Sequence, residues 1–472
     1  MTTRGIIAPV LAFCLAVLLG LAVVTGASAP TMIVIAFCFA MAGTLGHPDR
    51  SIALVLLAAP LIGGKVVLAA GGFPDITAVR LLMGLAIVVM AGSVIREQPG
   101  ELVYPPGTEA RMDWLTMYIA VFLAATFIAA LRDPNVLLGL QPWLDQYFLP
   151  LTALWLAARV AWSRRQLALV VASIFLAGCI WSGLAITEAV LKRSFFTPDG
   201  VLPWGQSYMK TARSGGAFIA PFAMGTALGI VAVLAIGLLL TDRILPRWAS
   251  ITALVFAVAG VAESITRASW IGFVIGTLLT IAFCQRGRLR TLAILGGFIA
   301  VALLVLSTAV GSSTLSQRLQ SQGQIYNRIV PGAAAIRLIA EKPLTGFGYA
   351  GYRRNRDSAL KSVGGISGAY GEGITTHNSL LRVGVESGLF GMIGLIGIWV
   401  SAALIFRTYL RDPRRRWLAI MGLPTILVYV TNAMANDMVV SRYINMVFCI
   451  VIGVLIGAGK QAPDTPAQEI QA

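Results

Sequence analysis

Long apolar runs follow one another along almost the whole chain, and they settle its fold class before any motif is read. They lie at 5–25, 29–46, 51–70, 76–95, 114–131, 143–161, 166–187, 215–241, 248–265, 269–285, 291–310, 378–406, 418–434 and 442–459. Each is near the roughly 20 residues a helix needs to cross a hydrocarbon core. Lipid offers backbone amides no partner, so helices are the natural spanning element. The expectation is an all-α, polytopic membrane protein of about 14 transmembrane helices, or about 12 if the short runs at 29–46 and 418–434 do not span. Composition agrees: charged residues are 12% of the 472, against about 25% in a soluble protein.

The N-terminus imitates a secretory signal, with Arg4, an apolar run and Ala27-Ser28-Ala29. The run exceeds a normal signal core and Pro30 follows the small residues, so a first transmembrane helix is expected. The five cysteines all lie in apolar spans without metal-ligand or disulfide spacing. Three regions follow: N-terminal spans at 1–190, a catalytic membrane region at 191–459 with a long loop at 311–376, and a disordered tail at 460–472.

Basic residues in short loops assign the sides. With the N-terminus cytoplasmic, alternate loops hold Arg96 and Arg111, then Arg159, Arg164 and Arg165, then Arg243 and Arg247, then Arg407 to Arg416, and finally Lys460. Both termini are then inside, the expected location is a bacterial inner membrane, and 311–376 faces the periplasm. Two outer loops are nevertheless basic. One, near Glu188–Ser214, holds Lys192, Arg193, Lys210 and Arg213. The other, 311–376, includes Arg318, Arg328, Arg337, Arg353, Arg354 and Arg356. A solvated loop attracted to anionic headgroups is one reading. An anionic, diphosphate-bearing substrate is the other, because arginine's planar fork matches phosphate oxygens in pairs. The net charge of +16 is therefore read as serving membrane lipids and a lipid-held anion, not nucleic acid.

The chain has two histidines, and His47 lies in a short turn. His377 follows Thr375 and Thr376, good helix caps, and so enters or borders a first helical turn. The helix dipole there favours the neutral, proton-accepting imidazole. The competing reading is an interfacial anchor. Arg382 and Glu386 are spaced as an intrahelical ion pair, although Arg382 could also face substrate. Gly384, Gly388 and Gly391 suit close helix packing. Arg267 stands in a very short outer turn, and Arg213 where an outer loop enters a helix. Arg80 has Asp75 as its nearest acid in sequence. No Asp-x-Asp pair, Walker loop, metal cluster or serine elbow occurs. Catalysis would rest on cations and one base, without metal or cofactor.

These residues resemble the O-antigen ligase and polymerase family. His377, Asn378, Gly388 and Gly391 meet its His-(Asn/Ser/Gln)-x9-Gly-x-x-Gly pattern. Arg337 to Tyr349 is similar to its amphipathic outer helix followed by Pro-Leu-x-Gly-x-Gly. Arg267-Ala-Ser-Trp270 is similar to its Ser-Arg-Gly-Ala-Trp turn, with Thr266 in place of serine. Arg213, Gly216, Phe218 and Pro221 match its loop-to-helix entry, but Phe222 stands where asparagine is usual. The motifs span about Lys210 to Phe390.

The resemblance implies a metal-independent membrane glycosyltransferase of GT-C-like architecture. Such an enzyme moves a glycan from undecaprenyl diphosphate to an acceptor hydroxyl at the periplasmic face, with inversion. His377 would be the base, and Arg213, Arg267, Arg328, Arg337 and Arg382 are the candidates to hold the diphosphate. The acceptor would be a second lipid-linked glycan in a surface or exopolysaccharide polymerase, the slightly favoured reading, or lipid A-core in an O-antigen ligase. A flippase and a chain-length regulator are the expected partners. A transporter or flippase for lipid-linked saccharides is the alternative of a different class. It is disfavoured by the absence of repeats and the concentration of polar features on one face.

One segment carries a sharper expectation. Ile329, Ala333, Ile336 and Ala340 recur at helical spacing, interrupted by Arg328 and Arg337. An amphipathic helix over 326–340 should lie on the outer surface and cover the donor site. Pro343 should stop it, and Gly346 and Gly348 should allow a tight turn.

Overall fold

The computed structural model describes residues 43–62, 67–68, 76–97, 104–191, 215–218, 220–241, 244–284, 323–362 and 376–460. The expected spans 5–25 and 291–310, nearly all of 29–46, the tail beyond Lys460, and Arg213 lie outside them. Six described helices are long and apolar enough to cross a membrane, and two shorter apolar helices accompany them. The chain is a multi-pass, helical membrane protein.

The helices are α1 (Pro48–Ile62), α2 (Ala78–Arg96), α3 (Thr108–Leu131), α4 (Val136–Trp143), α5 (Leu149–Ala157), α6 (Arg164–Leu191), α7 (Pro221–Leu240) and α8 (Arg247–Glu263). They continue as α9 (Arg267–Phe283), α10 (Gly323–Glu341), α11 (Gly351–Ser362), α12 (Ser379–Arg411), α13 (Arg416–Ala435) and α14 (Arg442–Gly457). Two expectations need correction. In the run 51–70 the described helix reaches Ile62, and Val67–Leu68 is not helical but pairs antiparallel with Ile76–Thr77. The run 143–161 starts earlier, at Val136, and is not one regular helix. A π turn at Leu144–Phe148 joins α4 to α5, flanked by Pro142 and Pro150, whose missing amides disturb a regular ladder.

Helix α7 is buried almost throughout its length and packs against α8, α9 and α13. A helix apolar all round belongs in such a central place. Glycines set the closest approaches. A Cβ at Gly394 or Gly397 would strike Phe122 or Tyr118 of α3, and one at Gly453 or Gly457 would strike the backbone of Leu154 or Ala157. Small residues replace the missing hydrophobic drive between helices in lipid by allowing tight van der Waals contact.

Polar contacts gather at the two ends of the bundle. At one end Glu97 binds Lys460 at 3.0 Å and accepts from the Ala161 amide at 2.6 Å. There too Arg416 reaches the Phe283 carbonyl at 3.0 Å and Arg415 the Gly459 carbonyl at 2.6 Å. The loops expected to share a side therefore do meet. The other end holds the candidate site.

Candidate functional site

Helix α12 begins at Ser379, and its N-cap is Asn378, not either threonine. The Asn378 side chain accepts from the Leu381 amide at 3.0 Å, as a cap should. Thr376 instead closes a small turn, donating to the Asn378 carbonyl at 2.8 Å. His377 thus lies one residue outside the helix, half-buried, with a φ of +51°.

The C-terminal turn of α13 is the hub to which this mount is fixed. Asn378 Nδ2 donates to the Met434 carbonyl at 3.0 Å. Ser379 Oγ donates to the Asn436 carbonyl at 3.1 Å and accepts from the Met438 amide at 2.8 Å. Ser269 Oγ, on the second turn-forming residue past Arg267, donates to Asn432 Oδ1 at 3.0 Å. The last carbonyls of a helix need outside partners; Asn378 supplies one at Met434, and Ser269 adds a side-chain bond to Asn432. Arg267 and His377 are thereby set at the rim of one helix end. Arg267 is exposed as the first residue of α9. Trp270 braces that turn, its indole donating to the Val261 carbonyl at 2.9 Å.

Beneath His377, Arg382 is buried between two carboxylates. Its Nε is 3.2 Å from Glu386 and its Nη1 donates to Asp437 at 2.9 Å. The spacing-based pair with Glu386 is therefore present. Asp437 lies 55 residues away in sequence, and no motif links the two. An acid between two apolar spans was the only signal. Arg382 is thus engaged by both carboxylates.

The segment after α10 clasps α12 at Gly388, whose φ of 68° and ψ of −162° break the helix. The Phe347 amide donates to the Val385 carbonyl at 2.7 Å, the Gly348 amide to the Glu386 carbonyl at 2.9 Å, and the Leu389 amide to the Pro343 carbonyl at 2.7 Å. The clasp uses backbone groups that the break frees. Gly388 thus has a more particular role than helix packing: a Cβ there would sit 2.3 Å from the Leu344 carbonyl oxygen. The turn at Gly346 and Gly348 is as expected, with φ values of +60° and +83°.

The clasp continues into Ala350, whose amide donates to Glu386 Oε1 at 3.0 Å. Ala350 has φ +53°, and Ile265, two residues before Arg267, has φ +43°. With His377 these are the non-glycine residues of positive φ among the described residues. A β-branched residue there is a real outlier, and such strain tends to gather at functional sites. Tyr349 lines a crevice with Tyr147 and Glu386, and burial pushes its phenol above the ordinary tyrosine value.

Helix α10 forms as expected, but its buried face is not the one the spacing selected. Ala334, Ala335 and Leu338 pack with Tyr352 of α11 and Val385 of α12, while Ile329 and Ile336 are 59% and 60% exposed. Apolar residues occupy both sides, and the small alanines fit the close contact. Arg337 lies on the exposed side, 3.3 Å from Glu341. Arg328 falls in α10, with its side chain outside the described residues. Arg80 has a different acid from the one nearest in sequence: it binds Asp145 at 2.7 and 2.9 Å, while Asp75 lies outside the described residues.

Arg213 also lies outside, but its motif neighbours are placed. The Gly216 amide donates to buried Glu188 at 2.9 Å. Phe218 stacks edge-on against Trp181 at 4.9 Å, and Pro221 is the first residue of α7. Phe222 is half-buried and offers its carbonyl to Ser269 at 3.4 Å.

Residues 252–396 match the family model described as O-antigen ligase. The match includes Arg267, the described part of the outer loop, His377 and the Gly388 break. No curated protein matches the chain.

Proposed function

We propose, from the match of residues 252–396 to the family model described as O-antigen ligase, that the protein is a membrane glycosyltransferase using a polyprenyl-diphosphate-linked donor. The observation that carries the reading is the strained His377, which with Arg267 lies in the matched residues and borders the same end of α13. His377 removes the proton of the acceptor hydroxyl. Arg213, Arg267 and Arg328 hold the donor diphosphate and stabilise it as it leaves. Attack opposite that group inverts the anomeric carbon, with no metal in the step. The site faces the periplasm of the inner membrane, and both termini are cytoplasmic.

A polymerase, extending a surface polysaccharide on a second undecaprenyl diphosphate, is favoured over a ligase acting on lipid A-core. The long basic outer loop supports that order. Purified protein in vesicles, given lipid-linked glycan and excess chelator, should release polyprenyl diphosphate and lengthen the acceptor glycan. Donor that crosses the bilayer chemically unchanged would establish a flippase instead.

A further inference from the structure

The same end of the bundle carries a second basic crevice that the transfer chemistry leaves unused. Its polar lining is Thr77, Arg80, Asp145, Arg442 and Tyr443, and the rest of its lining is apolar. Arg80 comes from the first turn of α2, Arg442 opens α14, and Asp145 comes from the π turn. π turns are rare and frequently mark functional sites.

Asp145 is divided unequally between the two arginines. Arg80 takes both its oxygens, at 2.7 and 2.9 Å. Arg442 reaches only the shared Oδ2, at 3.4 Å. One long contact leaves most of a five-donor fork without a carboxylate. The Arg442 guanidinium lies over the Tyr443 ring at 4.9 Å, and its side chain is 31% exposed. Arg80 and Asp145 thus neutralise each other, and Arg442 is left as the excess cation of the crevice. The starts of α2 and α14 add the positive ends of two helix dipoles.

The crevice is wired to the His377 mount. In the π turn Asp145 faces this crevice, while Tyr147 lines the one shared by Tyr349 and Glu386. Asn445 ties the turn to the segment before α14, donating to the Gln146 carbonyl at 3.1 Å and the Val439 carbonyl at 3.0 Å. That segment includes Asp437, the partner of Arg382.

We propose that Arg80, Arg442 and Thr77 form a second phosphate-recognition site, for the headgroup of a membrane-held lipid phosphate or diphosphate. The Arg442 guanidinium fits such oxygens bidentately, with the Arg80–Asp145 pair fixing its place. The site stands on its own geometry. Only the identity of its occupant rests on the transferase reading, under which a second lipid diphosphate is the acceptor. A bulk anionic phospholipid presents the same chemistry.

The test uses the full chain in phosphatidylcholine nanodiscs, with a glycan-free polyprenyl diphosphate and phosphatidylglycerol as probes. Equilibrium binding is compared for wild type, Arg442→Gln, Arg442→Lys and, as donor-site control, Arg267→Gln. Arg442 is partly exposed and weakly bonded, so its variants should keep the wild-type melting temperature. Wild type should show two saturable diphosphate sites. Arg442→Gln should weaken one at least about tenfold, the scale of one charge-assisted contact, with Arg442→Lys intermediate. If phosphatidylglycerol also displaces that fraction, the occupant is a bulk headgroup; if only diphosphate does, it is a second lipid-linked substrate. Wild-type binding of both probes by folded Arg442→Gln would overturn the site. Wild-type diphosphate binding by folded Arg267→Gln, with the Arg442-dependent site still present, would count against the transfer reading and leave this one standing.

Discussion

Arg382, on α12, and Asp437, in the turn after α13, meet at 2.9 Å with side-chain exposures of 15% and 4%. Glu386 holds the other edge of the same guanidinium at 3.2 Å. Removing one member of a buried pair strands the other, at a cost of about 3–5 kcal/mol. Asp437→Ala should therefore lower the melting temperature in detergent sharply. Glu386→Gln should cost less, about 1–3 kcal/mol, because Asp437 still answers the charge. Equal melting temperatures for Asp437→Ala and wild type would remove this cluster from the mount.

Gly388→Ala should open the clasp. Its φ and ψ belong to a region open essentially to glycine alone, and forcing another residue there costs on the order of 1–3 kcal/mol. The new methyl would also meet the Leu344 carbonyl. Limited proteolysis should cut between Pro343 and Ala350 faster in the variant, with α12 itself intact. Unchanged cleavage would mean the clasp contributes nothing to the order of this segment.

His377→Ala should fold, keep donor affinity and lose transfer by about 10² to 10⁴, the usual worth of a general base. Arg267→Ala, at an exposed helix start, should instead weaken donor binding. Lysine there should restore it only in part, because it cannot make the paired fork. Single-turnover transfer and donor affinity are measured separately. Near-normal transfer by folded His377→Ala would reduce the histidine to an anchor.

The outer helix pair should loosen in alkali. Burial pushes the Tyr352 phenol up to about 12 from its ordinary 10.0, and Arg356 opposes the shift. Its hydroxyl donates to the Pro331 carbonyl at 3.3 Å. The folded value is the higher one, so the contribution is fully present below pH 10 and is lost as pH rises toward about 12. Tyr352→Phe should flatten that part of the stability profile. A slope unchanged by the substitution would assign the alkaline loss to other groups.

Ser358 and Arg414 are both exposed, one on α11 and one in the turn between α12 and α13. An impermeant thiol reagent added to intact spheroplasts should label Ser358→Cys and spare Arg414→Cys. The reverse pattern would invert the membrane orientation.

The sequence by itself determined the helical, membrane-spanning class, because about 20 apolar residues in a row have few other stable fates in lipid. It also determined which loops share a side, the Arg382–Glu386 pair, and the turn at Gly346 and Gly348. All of these depend on composition or on residues within a few positions of each other. Only the tertiary structure decided the rest. Asp437 reaches Arg382 across 55 positions, Arg354 reaches Asp133 across 221, and Arg442 meets Asp145 across 297. Periodicity could not choose between the two faces of α10, both of them partly apolar, until the α11 and α12 surfaces selected the small alanines. Nor could local propensity reveal why Gly388 breaks a helix: the reason is the Pro343–Gly348 backbone lying against it.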